Sequence, residues 1–107
     1  MMDDRAYNEL VESLFGRITT ALDRLDPDDV EVDKGGGYLT LIFRDKTRCV
    51  ISTQRPVREI WMAHDATAWH FSAPGADGRW VTHKTHEELI DTLTRLVSGR
   101  VGHPVQI

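Results

Sequence analysis

The chain has 107 residues, 40% hydrophobic and 28% charged, with a formal net charge of −4 and one cysteine, a composition that describes a single globular domain able to bury roughly 60–70% of its unfolded-chain surface. The lone Cys49 excludes an intramolecular disulfide, and neither a signal-peptide-like start nor a long apolar run is present, so the expected location is a reducing cytoplasm and no membrane partner is expected. Charge is unevenly spread: residues 1–33 hold ten carboxylates against three arginines, a net of −7, and residues 34–107 hold seven against ten lysines and arginines, a net of +3, which argues against nucleic acid and for cations or a basic protein surface at the acidic end.

Residues 4–25 predict a helix. Tyr7, Leu10, Leu14, Ile18, Leu22 and Leu25 recur every three or four residues, Val11, Phe15 and Ala21 widen the stripe, and Asp3 and Asp4 supply the N-cap and its favourable charge. Pro27 ends it. The acidic turn Asp26-Pro27-Asp28-Asp29 then leads into a short strand with Val30 and Val32 inward and Asp29, Glu31 and Asp33 outward. Lys34-Gly35-Gly36-Gly37 reads as a hairpin turn rather than a phosphate loop, because a strand follows it and no Lys-Ser/Thr pair does. The next strand, Tyr38 to Phe43, directs Leu39, Leu41 and Phe43 inward.

From Cys49 to Phe71 the pattern is three consecutive strands, the first two parted by Pro56, which cannot donate to a ladder. With Cys49, Ile51, Ile60 and Met62 inward, the other face carries Ser52, Gln54, Trp61 and His70. Trp61 is then either a docking residue, since an indole combines large apolar area with an N–H donor, or core covered by a helix or loop. Arg79-Trp80-Val81 predicts a short last strand. Thr85-His86-Glu87-Glu88 has the spacing of a capping box opening a second helix, whose apolar stripe is Leu89, Ile90, Leu93, Leu96 and Val97 and whose end is Gly99 or Gly102. Val105 and Ile107 in the tail can pack between the helices. Because each helix has one apolar face, both belong on the same side of the sheet. The expected fold is an α+β two-layer sandwich of two helices on about six antiparallel strands, with the other sheet face wet.

The acidic set Asp23, Asp26, Asp28, Asp29, Glu31 and Asp33 reads in two ways. Carboxylates are hard donors suited to Fe²⁺, Fe³⁺, Mn²⁺, Ca²⁺ or Mg²⁺, but no calcium-loop spacing is present, and a solvated acidic edge that keeps an edge strand from pairing is the plainer reading. His83, His86 and Glu87 read as polar residues before a helix start rather than a metal site, with His64 and His103 exposed. Nothing supports a hydrolytic triad: Cys49 lies inside a strand pattern and no serine sits in a Gly-x-Ser-x-Gly elbow.

The acidic first helix and strand, Gly36-Gly37-Tyr38-Leu39-Thr40-Leu41, Val50-Ile51-Ser52-Thr53-Gln54-Arg55-Pro56, Ile60-Trp61-Met62-Ala63, Trp69-His70-Phe71 and Gly102-His103-Pro104-Val105 together resemble the bacterial frataxin family over nearly the whole chain. Gln-x-Pro followed by a hydrophobic-Trp-hydrophobic strand is the most specific part. The resemblance implies a helix–sheet sandwich and a protein of iron–sulfur cluster assembly that binds Fe²⁺ or Fe³⁺ weakly on the ridge Asp23, Asp26, Asp28, Asp29, Glu31 and Asp33. It also implies docking on a cysteine desulfurase and scaffold complex, with Ser52, Gln54 and Trp61 as sheet contacts, in a protein that is monomeric unless iron drives oligomers. A ferroxidase, or an interaction module without metal, is the alternative. Thr19-Thr20 stand where many bacterial members have Glu-Glu, and Ser52 where the family usually has Asn, which implies lower iron capacity and an altered scaffold contact.

Overall fold

A computed structural model describes residues 2–107. Its elements are α1 (Asp4–Leu22), β1 (Val30–Gly35), β2 (Tyr38–Phe43), β3 (Arg48–Gln54), a single 3₁₀ turn at Arg55–Val57, β4 (Glu59–His64), β5 (Thr67–Ser72) and α2 (Leu89–Val101). The five strands form one antiparallel sheet in the order β1-β2-β3-β4-β5, so each strand pairs with its sequence neighbours through short connections. Both helices bury one stripe in a common core. Tyr7, Leu14, Phe15 and Ile18 of α1 and Leu89, Leu93 and Val97 of α2 meet Leu39, Leu41, Phe43, Cys49, Ile51, Ile60, Met62 and Phe71 from the sheet.

The expected two-layer sandwich is therefore present, with five strands rather than about six. Val81 makes only isolated bridges, to Ser72 and to Glu88, while its neighbour Trp80 turns into the core, 4% exposed, and sets its ring edge-on to Tyr7 with centroids 6.2 Å apart. The ladder does not extend because the flanking backbone pairs elsewhere, Thr82 N–H with Glu87 O and Leu89 N–H with Trp80 O, both at 2.9 Å.

Two other boundaries differ from expectation. α1 stops at Leu22, and the chain unwinds through turns in which Arg24 N–H bonds to Ala21 O and Leu25 N–H to Leu22 O; Pro27 disfavours helical backbone at Asp26, so the end frays early. Thr85 does not cap α2. Its hydroxyl is engaged with Thr82 and Glu87 in a tight turn where His86 has φ +56°, and the helix starts beyond it, with the Glu88 carboxylate accepting from Ile90 N–H at 2.9 Å and Asp91 N–H at 3.0 Å. Gly102, at φ +84°, ends α2 in the left-handed conformation that glycine adopts without penalty. In the β1–β2 hairpin Gly37 has φ +89°, and a Cβ there would lie 2.9 Å from the Thr53 hydroxyl, so two separate reasons require glycine.

His64 is also buried, 8% exposed, not exposed as its place near a turn suggested. Its Nδ1 lies 3.0 Å from Arg48 O, and Arg100 Nε donates to its Nε2 at 2.9 Å. Since Arg100 supplies the proton at Nε2, the imidazole proton sits on Nδ1 and points at the Arg48 carbonyl. The same guanidinium donates to Asp45 at 2.9 Å and to Asp65, tying the last turn of α2 to the β2–β3 and β4–β5 turns. At the opposite end the Tyr7 hydroxyl donates to Glu59 O at 2.6 Å and accepts from Gln54 N–H at 3.2 Å, which bridges the β3–β4 crossing to α1. Burial, chiefly, raises the Tyr7 pKa above its ordinary value, so the hydroxyl stays protonated as a donor. The tail closes the core: Val105 N–H bonds to Ser98 Oγ at 3.0 Å, and Arg17 donates to Ile107 O at 3.0 Å.

Two outcomes follow. Tyr7→Phe leaves the Glu59 carbonyl and Gln54 N–H without their partner and should cost about 1–3 kcal/mol, read as a lower urea midpoint at unchanged slope; an unchanged midpoint would contradict the bridging role. The Asp45 carboxyl is held below its ordinary value of 3.8 by the Thr47 hydroxyl and N–H, with a smaller contribution from Arg100. A depressed carboxylate pKa stabilises the fold above the unfolded value and that contribution is lost as pH falls through the folded one. Asp45→Asn should therefore flatten the loss of Tm below pH 4 and lower Tm at pH 7.

Candidate functional site

The acidic residues gather where α1 ends and the edge strand β1 begins. Asp23 is the C-cap of α1, Asp26 to Asp29 form the connecting turn, and Glu31 and Asp33 project from β1 on the face opposite the helices, in register with Ile42 and Thr40 of β2. An open pocket of about 520 Å³ is lined by Asp23, Glu31 and Asp33 together with Leu22, Leu25, Pro27 and Ile42. Three of the six predicted ligands thus converge on one hollow with an apolar floor. The others are partly engaged: Asp29 accepts from Arg44 Nη2 at 2.7 Å with its side chain only 20% exposed, and Asp26 Oδ1 accepts from Asp28 N–H at 2.9 Å. The hydrogen bond and charge of Asp29, with smaller help from Asp28 and Asp26, raise the Arg44 pKa. Among the described residues no three His, Cys, Asp or Glu side chains already stand in coordinating range. A cation here would meet one or two carboxylates and complete its shell with water, which matches hard oxygen donors holding an exchangeable ion.

The uncovered sheet face carries the other predicted residues. Tyr38, Ser52, Trp61 and His70 stand side by side across β2 to β5 in direct register, and Gln54 faces Glu59 on the adjoining rung. Trp61 is 36% exposed, which decides between the two sequence readings in favour of an open indole. Its Nε1 donates to Glu59 Oε1 at 2.9 Å, and its ring stacks on His70 with centroids 4.1 Å apart and planes 9° from parallel. The indole is therefore held flat before any partner arrives. Val50, outward by the parity that buries Cys49 and Ile51, is 38% exposed, and Tyr38, which sequence reading missed though the inward assignment of Leu39 implied it by alternation, is 40% exposed; both extend the apolar face. Cys49 is fully buried, and burial pushes its thiol up to about 12, so it is neutral and neither ligand nor nucleophile. Thr19 donates to Phe15 O at 2.9 Å and is spent on its own helix. Among the described residues, no helix is long and apolar enough to cross a membrane.

The structure defines a small helix–sheet sandwich, open on one sheet face and carboxylate-rich where its first helix meets the edge strand. The comparisons narrow the class. A family model described as the frataxin-like domain matches residues 1–103. The iron–sulfur cluster assembly protein CyaY of Polaromonas sp. is 36% identical over 97% of this chain and 90% of its own length, and the CyaY of Aeromonas hydrophila is 31% identical over 98% of both. The frataxin of Psychromonas ingrahamii superimposes with a TM-score of 0.88 at 24% identity over 98% of this chain and 97% of that one. Trimeric yeast frataxin complexed with ferrous iron gives 0.71 at 22% identity over 95% and 90%. The chain belongs to the frataxin-like family.

Trp61→Ala should leave the fold intact, with a loss no greater than about 1.5 kcal/mol, because a stacked but exposed ring contributes modestly to stability. A collapse of thermal stability would show that the indole is core.

Proposed function

We propose that this chain handles iron in iron–sulfur cluster assembly, holding Fe²⁺ or Fe³⁺ weakly on Asp23, Asp26, Asp28, Asp29, Glu31 and Asp33 and docking on a cytoplasmic cysteine desulfurase and scaffold complex. The observation that carries this reading is the adjacency of the two surfaces: Glu31 and Asp33 lie on the same sheet face as Tyr38, Ser52 and Trp61, so a carboxylate pocket and an aromatic platform share one continuous surface. The names of the CyaY relatives and the ferrous complex of yeast frataxin support it. Asp23, Glu31 and Asp33 supply the exchangeable site. Asp29, neutralised by Arg44, orders the turn more than it binds. The same carboxylates steer a basic partner surface at long range, an effect that salt weakens, while Trp61, Ser52 and Gln54 supply short-range contact. An exchangeable site fits delivery better than oxidation, since a di-iron ferroxidase needs bridging carboxylates and imidazoles facing one another across helices, and α1 and α2 turn apolar stripes to the core.

Anaerobic calorimetry with Fe²⁺ checks the first half. The triple variant Asp23→Asn, Glu31→Gln, Asp33→Asn should lose at least tenfold in affinity with Tm little changed; retained affinity would overturn the assignment. Glu31→Lys with Asp33→Lys should weaken capture of the desulfurase at low salt and narrow its salt dependence, and unchanged capture would remove the steering role.

A further inference from the structure

We propose that His70, His83 and Glu59 form a second cation site on the open sheet face, one with nitrogen donors that takes a borderline divalent transition ion such as Zn²⁺, Co²⁺ or Fe²⁺. It is separate from the acidic pocket and does not rest on the iron reading of that pocket. An open hollow of about 520 Å³ is lined by all three residues. Register places them together. Glu59 pairs with Ser72 across β4 and β5, and Trp61 with His70, so Glu59, His70 and Ser72 share the uncovered face within neighbouring rungs, roughly 5–7 Å apart along and across the strands. His83 comes from the segment that returns along the free edge of β5, where Ser72 N–H bonds to Val81 O at 2.9 Å. Its Nε2 lies 2.9 Å from Ser72 Oγ, which brings the imidazole beside the position occupied by His70.

The donors are free to bind. Among the described residues His70 has no hydrogen-bond partner at either ring nitrogen, and its ring stacks on Trp61. Glu59 gives Oε1 to the Trp61 indole and keeps Oε2 unengaged. His83 has only a hydroxyl to exchange for an ion. Glu87 also lines the hollow, but Thr85 holds one of its oxygens and Trp69 the other, so it belongs to the turn. Lys84 is the opposing charge in the same hollow, on a long stem that can swing to solvent. Among the described residues no three such donors already stand in coordinating range, so binding an ion requires the exposed imidazoles of His70 and His83 to rotate toward Glu59. Two imidazoles and one carboxylate, with water completing the shell, form a donor set suited to zinc or ferrous ion rather than calcium or magnesium. Because His70 must tilt off the indole to bind, occupancy is coupled to the ring that the open face presents.

The test is titration of the full ¹⁵N-labelled chain with Zn²⁺ alone at pH 7.5, following imidazole and indole resonances, and with Co²⁺ alone, following tryptophan emission. The proposal predicts that His70, His83 and the Trp61 Nε1–H respond before the amides of Asp23, Glu31 and Asp33. His83→Ala and His70→Ala should each lower Zn²⁺ affinity at least tenfold. Responses confined to residues 23–33, or a His70→Ala, His83→Ala double variant that binds Zn²⁺ as the unaltered chain does, would overturn it. Should His70→Ala disturb the sheet, the shift map of the unaltered chain decides alone: no response at His83 sinks the proposal.

Discussion

Covering only one side of the sheet is the constraint on which the rest of this molecule depends. Two helices, each with a single apolar stripe, have only one face to share, and strand alternation then sends Leu39, Leu41, Cys49, Ile51, Ile60, Met62 and Phe71 under them. The complementary positions are left in water by the same alternation. Tyr38, Val50, Ser52, Trp61 and His70 owe their outward positions to the burial of their neighbours, so the open face is a by-product of the core. The Tyr7 hydroxyl between Glu59 O and Gln54 N–H and the Arg100 fan onto His64, Asp45 and Asp65 pin the two ends of this arrangement.

Charge is arranged at right angles to that division. The carboxylates cluster where α1 gives way to the edge strand, and there they can spread over water instead of the core, with only Asp29 drawn into a pair with Arg44. Acidic side chains along an edge also discourage pairing with another chain, so one feature serves solubility and cation attraction together. The two hollows differ in chemistry as well as in place. Oxygen donors line one and imidazoles the other, and hard and borderline ions distinguish between such sets.

Much of this was legible in the residues. Period-3.6 and period-2 patterns located both helices and all five paired strands, and parity placed Ser52, Gln54 and Trp61 together on the uncovered face. The misses have different causes, some in contacts distant in sequence and some in local competition for hydrogen bonds. Residues 80–82 pair their backbone with residues 87–89, and Val81 meets β5 only at an isolated bridge, so no sixth strand forms. Thr85 is taken by Thr82 and Glu87, which passes the cap to Glu88. His64 is buried because Arg100, thirty-six residues on, supplies its partner. The acidic set was recognised as a group, but which of its members share a hollow could not be read from spacing: Asp23, Glu31 and Asp33 line the same open hollow, and Arg44 pairs with Asp29.

Under the proposed function the uncovered face and its acidic rim act as one surface, and the helical side is structural. Amide shift mapping of the ¹⁵N-labelled chain with the unlabelled desulfurase and scaffold complex tests it most directly. The account predicts perturbation along residues 23–33 and at Tyr38, Ser52, Gln54, Trp61 and His70, with the outward faces of α1 and α2 silent. Perturbation centred on those helix faces, with the open sheet unaffected, would contradict it.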